Sequence, residues 1–174
     1  MTSTALAPSA VAALLHSAAA VIHAELSALP APALGFHPAE GEWCAKEVLG
    51  HLIECEKRGF SGRIHVIMQT EASPQLEGWD QDAVARARKD CEREWPALYD
   101  EFSRLRTASV AQVAGLSPAD LARRGRHPKV GVLTVADLLH EWVHHDRNHI
   151  RQMLANVQAF AWPHMGNAQR FSAP

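Results

Sequence analysis

Apolar residues recur at spacings of three and four along four separate stretches of the chain, a pattern typical of amphipathic helices. These stretches cover residues 9–26, 45–70, 96–115 and about 134–157. A shorter helix is predicted near residues 80–89, and no stretch of any length alternates apolar and polar residues as a strand would. The pattern therefore predicts an all-α protein.

The connections between these predicted helices differ greatly in length, and each contains proline or glycine. Unequal connections are typical of a four-helix bundle with at least one long crossover, since a simple up-and-down bundle has short loops. We predict one domain, the bundle over residues 9–158, with an N-terminal tail at 1–8 and a C-terminal tail at 159–174.

The amino-acid composition and net charge argue against nucleic acid or a membrane as a binding partner. The chain has 174 residues, 47% of them hydrophobic and 21% charged, as in ordinary folded domains. Its 17 basic and 19 acidic residues give a net charge of -2, so no concentrated basic face is expected for nucleic acid or an anionic membrane. The N-terminal apolar segment lacks the basic residues of a signal peptide and carries His16, His23 and Glu25, so a membrane span is not expected.

The three cysteines bear on the cellular location of the protein. Cys44, Cys55 and Cys91 are odd in number and form no CxxC motif, so we expect no disulfide framework and a cytoplasmic location. Cys44 also stands where a capping box would have serine or threonine, with Glu47 three residues later. Because sulfur is a poor acceptor, this cap should be weak.

Histidine is the anomaly of the composition, with 11 in the chain. The fourth helix contains two pairs at i,i+4 spacing, which can place two imidazoles over one ion. At about 100° per residue, His145 and His149 fall on the apolar face around Trp142, whereas His140 and His144 fall on the opposite face. The inward pair is the candidate metal pair.

Two interpretations of this inward pair remain open from spacing alone. Buried imidazoles need partners for their ring nitrogens, because an unsatisfied buried polar group costs about 1–3 kcal/mol. A metal ion would satisfy both rings, but so would hydrogen bonds to carbonyls or carboxylates. His51, at the edge of the apolar face of the second helix, is the candidate third ligand, although a lone histidine there is more often structural.

Two segments, EWCAKEVLGHLIECEKRGF and VHHDRNHIRQM, together with the intervening LTVADLL, resemble the DinB/YfiT-like metalloenzyme superfamily. The likeness extends from the first helix to about residue 157. It implies a four-helix bundle that holds one divalent ion, nickel or zinc, through three histidines, which map onto His51, His145 and His149. Cys44 departs from the serine or threonine that members usually have there.

Three protein nitrogens would leave coordination positions open, as in catalytic metal sites. The resemblance implies a metal-dependent transferase or hydrolase acting on a small molecule, and the family includes transferases and isomerases that use a low-molecular-weight thiol. A homodimer is compatible with it. The alternative is a metal-binding or stress-response protein without turnover.

Two further residues of the second helix bear on this choice. Glu56 falls in the middle of the apolar face, where a carboxylate is either a general base beside the metal or part of an ion pair with Arg63 or another helix. Cys55 lies one turn after His51 and could close the site as a fourth ligand, although buried cysteine is usually a small apolar residue.

Overall fold

The computed structural model describes residues 5–172, and the four predicted amphipathic stretches form its long helices. In chain order the helices are α1 (Pro8–Ser27), α2 (Ala31–Leu34), α3 (Ala45–Glu54), α4 (Ser61–Met68), α5 (Gln81–Arg88), α6 (Trp95–Ala114), α7 (Val135–Ala161) and α8 (Gln169–Ser172). A π-helical turn (Cys55–Gly59) joins α3 to α4. Residues 1–4 and 173–174 of the predicted tails lie outside the described residues, and the predicted domain limits stay predictions.

Two apolar clusters fill the bundle and show which way each helix runs. Near one end, Leu15 of α1 packs with residues of α4, the end of α6 and the start of α7. Near the other end, Ile22 of α1 packs with residues of α3, the start of α6 and Met153 of α7. Helices α1 and α7 therefore run in one direction, while α3, α4 and α6 run in the other.

This arrangement requires one long crossover, as the sequence predicted. Because the α3–α4 segment and α6 run the same way, the chain must return along the whole bundle between Met68 and Trp95. That connection contains α5, whose N-cap Asp80 accepts hydrogen bonds from the backbone N–H groups of Asp82 and Ala83. The all-α four-helix bundle with a crossover is confirmed.

The second predicted helix is not continuous, because its middle widens into the π-helical turn. At Gly62 a Cβ atom would lie only 2.2 Å from the carbonyl oxygen of Lys57, so the wide turn needs a residue without a side chain there. Apolar spacing did not reveal this insertion. Turns of this kind are frequent at functional sites.

The expectation that no strands would be found was wrong for the segment before α7. Strands β1 (Arg124–His127) and β2 (Gly131–Thr134) form an antiparallel hairpin. Each strand has four residues, too short for an alternating pattern to stand out, and Gly131 adopts a φ of 82° at the turn. The hairpin leads directly into α7, whose N-cap Thr134 forms a reciprocal capping pair with Asp137.

The expectation that disulfides would be absent was also wrong, because Cys44 and Cys91 are bonded to each other. They are 47 residues apart in sequence, and the contact between α3 and the turn after α5 brings them together. An odd count leaves Cys55 as a free, buried thiol without preventing the other two from pairing. The cytoplasmic location thereby loses its cysteine-based support and stays a prediction.

Helix α1 is long and apolar enough to cross a membrane by length and composition. Core helices of globular proteins pass the same test, and α1 buries Val11, Leu15, Ile22 and Leu26 in the two clusters of the bundle. The structure thus accounts for its apolar face by packing against α6 and α7.

Candidate metal centre

Three histidines from two helices meet inside the bundle. His51 projects from α3, and His145 and His149 project from α7 one turn apart. The Nε2 atom of His145 lies 3.1 Å from Nε2 of His51 and 3.2 Å from Nε2 of His149. The structure therefore brings together the three histidines selected from the sequence, with the same ring nitrogen of each directed at one point.

The other ring nitrogens indicate how these imidazoles are protonated. Nδ1 of His149 lies 2.8 Å from Oε1 of Gln152, which makes Nδ1 the donor and leaves the Nε2 lone pair directed at the cluster. Nδ1 of His51 and of His145 is buried with no hydrogen-bond partner among the described residues. The rings thus do not satisfy one another through a closed hydrogen-bond network.

Burial governs the charge of the cluster. Burial and the neighbouring His149 lower the pKa of His51 to about 3. Burial, together with the surrounding imidazoles and the Arg106 guanidinium, lowers the pKa of His145 to about 3. The pKa of His149 is lowered as well, again chiefly by burial. Neutral imidazoles are the form in which histidine binds metals.

Cys55 stands beside the histidines, at the start of the π-helical turn. Its Sγ lies 3.4 Å from Nε2 of His51 and 3.8 Å from Nε2 of His145. Burial and nearby carboxylates raise the pKa of the Cys55 thiol, so without an ion it stays protonated. The sulfur is therefore close enough to be a fourth ligand, as the sequence alternative allowed.

A large cavity of about 1160 Å³ opens beside the cluster. Its lining includes His51, Cys55 and His145, together with Arg63, His127 and Lys129. The Trp79 ring stacks against His51 with centroids 5.7 Å apart. The cavity therefore reaches two of the three clustered histidines and the Cys55 thiol beside them.

Glu56 is enclosed by hydrogen-bond donors from α6. Its Oε1 accepts a hydrogen bond of 2.7 Å from Nε of Arg106, and its Oε2 accepts one of 2.5 Å from Ser109. Arg106 also donates to both carboxylate oxygens of Asp146. Glu56 is 2% exposed and does not line the cavity. The ion-pair alternative is the arrangement observed, with Arg106 of α6 as partner and not Arg63.

The outward histidine pair is separate from the cluster, as the helix phase predicted. His140 Nδ1 lies 2.8 Å from the Ala136 carbonyl, and its Nε2 accepts a hydrogen bond of 3.1 Å from the backbone N–H of Leu6. His144 is exposed. Neither belongs to the group of ligand atoms formed by His51, His145 and His149.

Comparison with known proteins identifies the family. A model of the DinB superfamily matches residues 14–153, which include all three clustered histidines. The chain belongs to the DinB superfamily. No curated protein matches it significantly.

Among solved structures, this DinB protein is similar to YfiT from Bacillus subtilis, a probable metal-dependent hydrolase with an unusual four-helix bundle topology. The TM-score is 0.79 at 18% identity, over 87% of this chain and 86% of YfiT. At this identity the likeness shows the shared fold.

Sequence reasoning missed three residues that the structure places near functional groups. Arg106 lies mid-helix among apolar residues, and a cation at such a position could have been matched to Glu56. Nε2 of His127 lies 3.1 Å from Nη2 of Arg63 in the cavity wall. Nε2 of His37 lies against Sγ of Cys91. Both histidines meet their neighbours across the fold, so no spacing signal exists for them.

Proposed function

We propose that this DinB protein is a metal-dependent enzyme that acts on a small molecule at a mononuclear site formed by His51, His145 and His149. One observation carries the proposal: Nε2 of His145 lies 3.1 Å and 3.2 Å from the Nε2 atoms of the other two histidines, beside a large cavity lined by His51 and His145. Lone pairs directed at one point repel one another unless a cation or a shared proton lies between them.

The donor set fits a divalent ion. Three neutral imidazoles suit zinc or nickel, the metals that we propose here. The Gln152 contact fixes His149 with Nε2 available, which is how proteins commonly orient a histidine ligand. A divalent metal bound by three imidazoles supplies Lewis acidity, which lowers the pKa of a water or thiol at its open position.

The residues around the cavity are suited to holding a substrate. Arg63 and Lys129 add positive charge to its wall, and Nη2 of Arg63 contacts the Glu77 carbonyl oxygen and the His127 ring. An acidic group on the substrate would balance this positive charge. Phe60 packs edge-on to His145 and limits the access of water from its side.

The size of the cavity favours a transferase over a hydrolase. Sites for one drug-sized molecule commonly occupy about 300–1,000 Å³, and this cavity is about 1160 Å³. It therefore has room for a low-molecular-weight thiol together with an acceptor. We propose a thiol-dependent transfer, in which the site stabilises the thiolate and Arg63 orients the acceptor.

For Glu56 we propose a positioning role in place of direct proton transfer. Both of its oxygens are already engaged by Arg106 and Ser109. Arg106 in turn holds Asp146, the residue next to His145. The predicted role of Glu56 as a catalytic base stays a prediction, and a Glu56→Gln variant tests it below.

A second candidate, a metal-binding protein without turnover, rests on Cys55. Its Sγ lies close enough to the Nε2 atoms to complete a three-histidine, one-cysteine set. Such a four-ligand site is closed, as in structural zinc centres. The state of Cys55 in the metal-loaded protein therefore separates the two functions.

Cobalt substitution provides the test. We expect cobalt-loaded protein in which Cys44 and Cys91 are both changed to serine to lack a thiolate-to-cobalt charge-transfer band, and to gain one when a thiol such as glutathione is added. Glutathione transfer to a chloronitrobenzene should then require the metal and fall in an Arg63→Gln variant. A band present without added thiol and abolished by Cys55→Ser would show a closed site and contradict the enzyme.

A further inference from the structure

A second group of ligand-type side chains lies at the N-terminal end of α3, away from the three histidines. It consists of His37, Cys44, Glu47 and Cys91, and one ligand atom from each lies within 4.8 Å of every other. His51 follows Cys44 by seven residues on α3, so about 10 Å of helix separates this group from the candidate active site. We call it the cysteine cluster.

We propose that the cysteine cluster is a redox-controlled zinc site, which binds one Zn²⁺ when Cys44 and Cys91 are reduced and releases it when they form their disulfide. The ligands are the two thiolates and Nε2 of His37, with a carboxylate oxygen of Glu47 in the fourth position. Two thiolates, an imidazole and a carboxylate are all common zinc ligands.

His37 is oriented as a ligand. Its Nδ1 lies 2.7 Å from the carbonyl oxygen of Glu42, so Nδ1 carries the proton and Nε2 presents its lone pair. That Nε2 lies 3.5 Å from Sγ of Cys91. A histidine that donates through one nitrogen to a backbone carbonyl and faces a cysteine sulfur with the other has the arrangement typical of zinc-bound histidines.

Glu47 closes the other side of the cluster. Its Oε2 accepts a hydrogen bond of 2.9 Å from the backbone N–H of Cys44 and lies 3.6 Å from Nδ1 of His37. One oxygen thereby anchors the side chain, and the carboxylate keeps a second oxygen for a cation. Its negative charge also balances a dication better than a neutral ligand would.

The two cysteines stay neighbours without their covalent bond. Lys46 of α3 donates hydrogen bonds to the carbonyl oxygens of Cys91 and Arg93. The turn containing Asp90 packs so closely on α3 that a Cβ at Gly50 would lie 1.7 Å from Oδ2 of Asp90. Since these contacts do not involve sulfur, reduction should leave both thiols within reach of one ion.

The switch is a two-electron reduction and oxidation of the Cys44–Cys91 pair. A dithiol reductant transfers two electrons and two protons to the disulfide and itself becomes a disulfide. Cys91 is the accessible sulfur, since Cys44 is 0% exposed. Zinc binding then displaces the two thiol protons. In the reverse direction, hydrogen peroxide takes two electrons from the thiolates and, with two protons, gives two water molecules, while the disulfide reforms and zinc leaves.

The test measures zinc bound by the full-length protein in its reduced and its peroxide-oxidised state. After metal removal, reloading with zinc and desalting, reduced protein should hold one equivalent more than oxidised protein. The same oxidation should remove two thiols from a thiol titration. Equal zinc content in both states, or no loss of thiols, would overturn the proposal.

Variants assign the extra equivalent to the cysteine cluster. Cys91→Ser should abolish the redox-dependent equivalent, and His37→Gln should weaken its zinc affinity at least tenfold. His65→Gln, which changes an exposed histidine outside the cluster, is the matched control and should keep it. If Cys91→Ser retained the redox-dependent equivalent, the proposal would be wrong.

A His145→Ala background separates this proposal from the proposed function. There, reduced protein should hold one zinc and oxidised protein none. If the three-histidine site failed to bind metal, wild type would give those same values, and the redox-dependent equivalent would still stand. In reduced, cobalt-loaded His145→Ala protein, a thiolate-to-cobalt band should persist in Cys55→Ser and disappear in Cys91→Ser.

Discussion

Two of the buried polar groups in the bundle differ in how their charges and lone pairs are satisfied. Around Arg106, the guanidinium donates to Glu56, to Asp146 and to the Leu15 carbonyl, and Ser109 donates to Glu56. Around His145, three neutral rings direct the same nitrogen at one another. The first group is complete within the protein, whereas in the second group Nδ1 of His51 and of His145 has no hydrogen-bond partner among the described residues.

This difference distinguishes a structural polar network from a candidate metal site. Although burial opposes it, the two carboxylates raise the pKa of Arg106, so the network keeps its charge inside the protein. Burial lowers the pKa of His51 and His145, so those rings shed their protons and keep lone pairs available. The free lone pairs of the histidine rings therefore support the metal site that we propose, whereas the Arg106 network leaves no charge without a partner.

The largest expected loss of stability comes from replacing Arg106, which lies at the centre of the complete polar group. Arg106→Met leaves Glu56 and Asp146 buried without their cation, which should cost about 3–5 kcal/mol of unfolding free energy. Urea denaturation of metal-free protein measures it. Ser109→Ala, a milder change in the same network, should cost about 1 kcal/mol. A cost below 1 kcal/mol for Arg106→Met would mean that the network is not a structural unit.

The next largest expected effect is the stabilisation by zinc at the three histidines, the group whose ring nitrogens lack partners. Zinc at a hundredfold excess over its dissociation constant should stabilise pre-oxidised wild type by about 2.7 kcal/mol, because binding to the folded state alone adds to stability. His145→Ala and His149→Ala should lose this stabilisation, seen as a melting temperature that no longer responds to zinc. An undiminished response in either variant would remove that histidine from the site.

The sequence predicted the bundle and the inward histidine pair because both depend on helical periodicity. His145 and His149 share α7, so their relative direction follows from phase alone. Helix phase made His51 a candidate third ligand and the resemblance to the family selected it, but its meeting with the α7 pair depends on how α3 packs against α7. The Arg106 partnership with Glu56 joins α6 to the π-helical turn, and no spacing within one helix encodes it.

Other features of the structure were not predicted from the sequence because they depend on contacts between distant segments. Pairing of Cys44 with Cys91 follows from the docking of the turn after α5 onto α3. The strands of the β1–β2 hairpin were too short to show an alternation of apolar and polar residues. The interruption after Cys55 was hidden because apolar residues continue on both sides of it and α4 remains in the core.

A smaller effect is expected at Glu56, which was predicted as the catalytic base and lies in the complete group. Glu56→Gln keeps the shape of the side chain but removes one of the two negative charges that Arg106 contacts. We expect destabilisation of about 1–2 kcal/mol with zinc content unchanged. Glutathione transfer should retain its pH profile. Loss of turnover at unchanged stability would instead support direct proton transfer by Glu56.

The smallest effect is expected for the outward pair. His144 is exposed, so His144→Gln should change the unfolding free energy by no more than about 0.5 kcal/mol. His140→Gln should cost slightly more, because His140 links Ala136 to the backbone of Leu6. Neither variant should alter the zinc response of pre-oxidised protein, whereas His145→Ala should abolish it. Since all three positions lie on the same helix, loss of the response in His144→Gln would show that proximity to the site, and not the direction of the imidazole, decides which histidines bind.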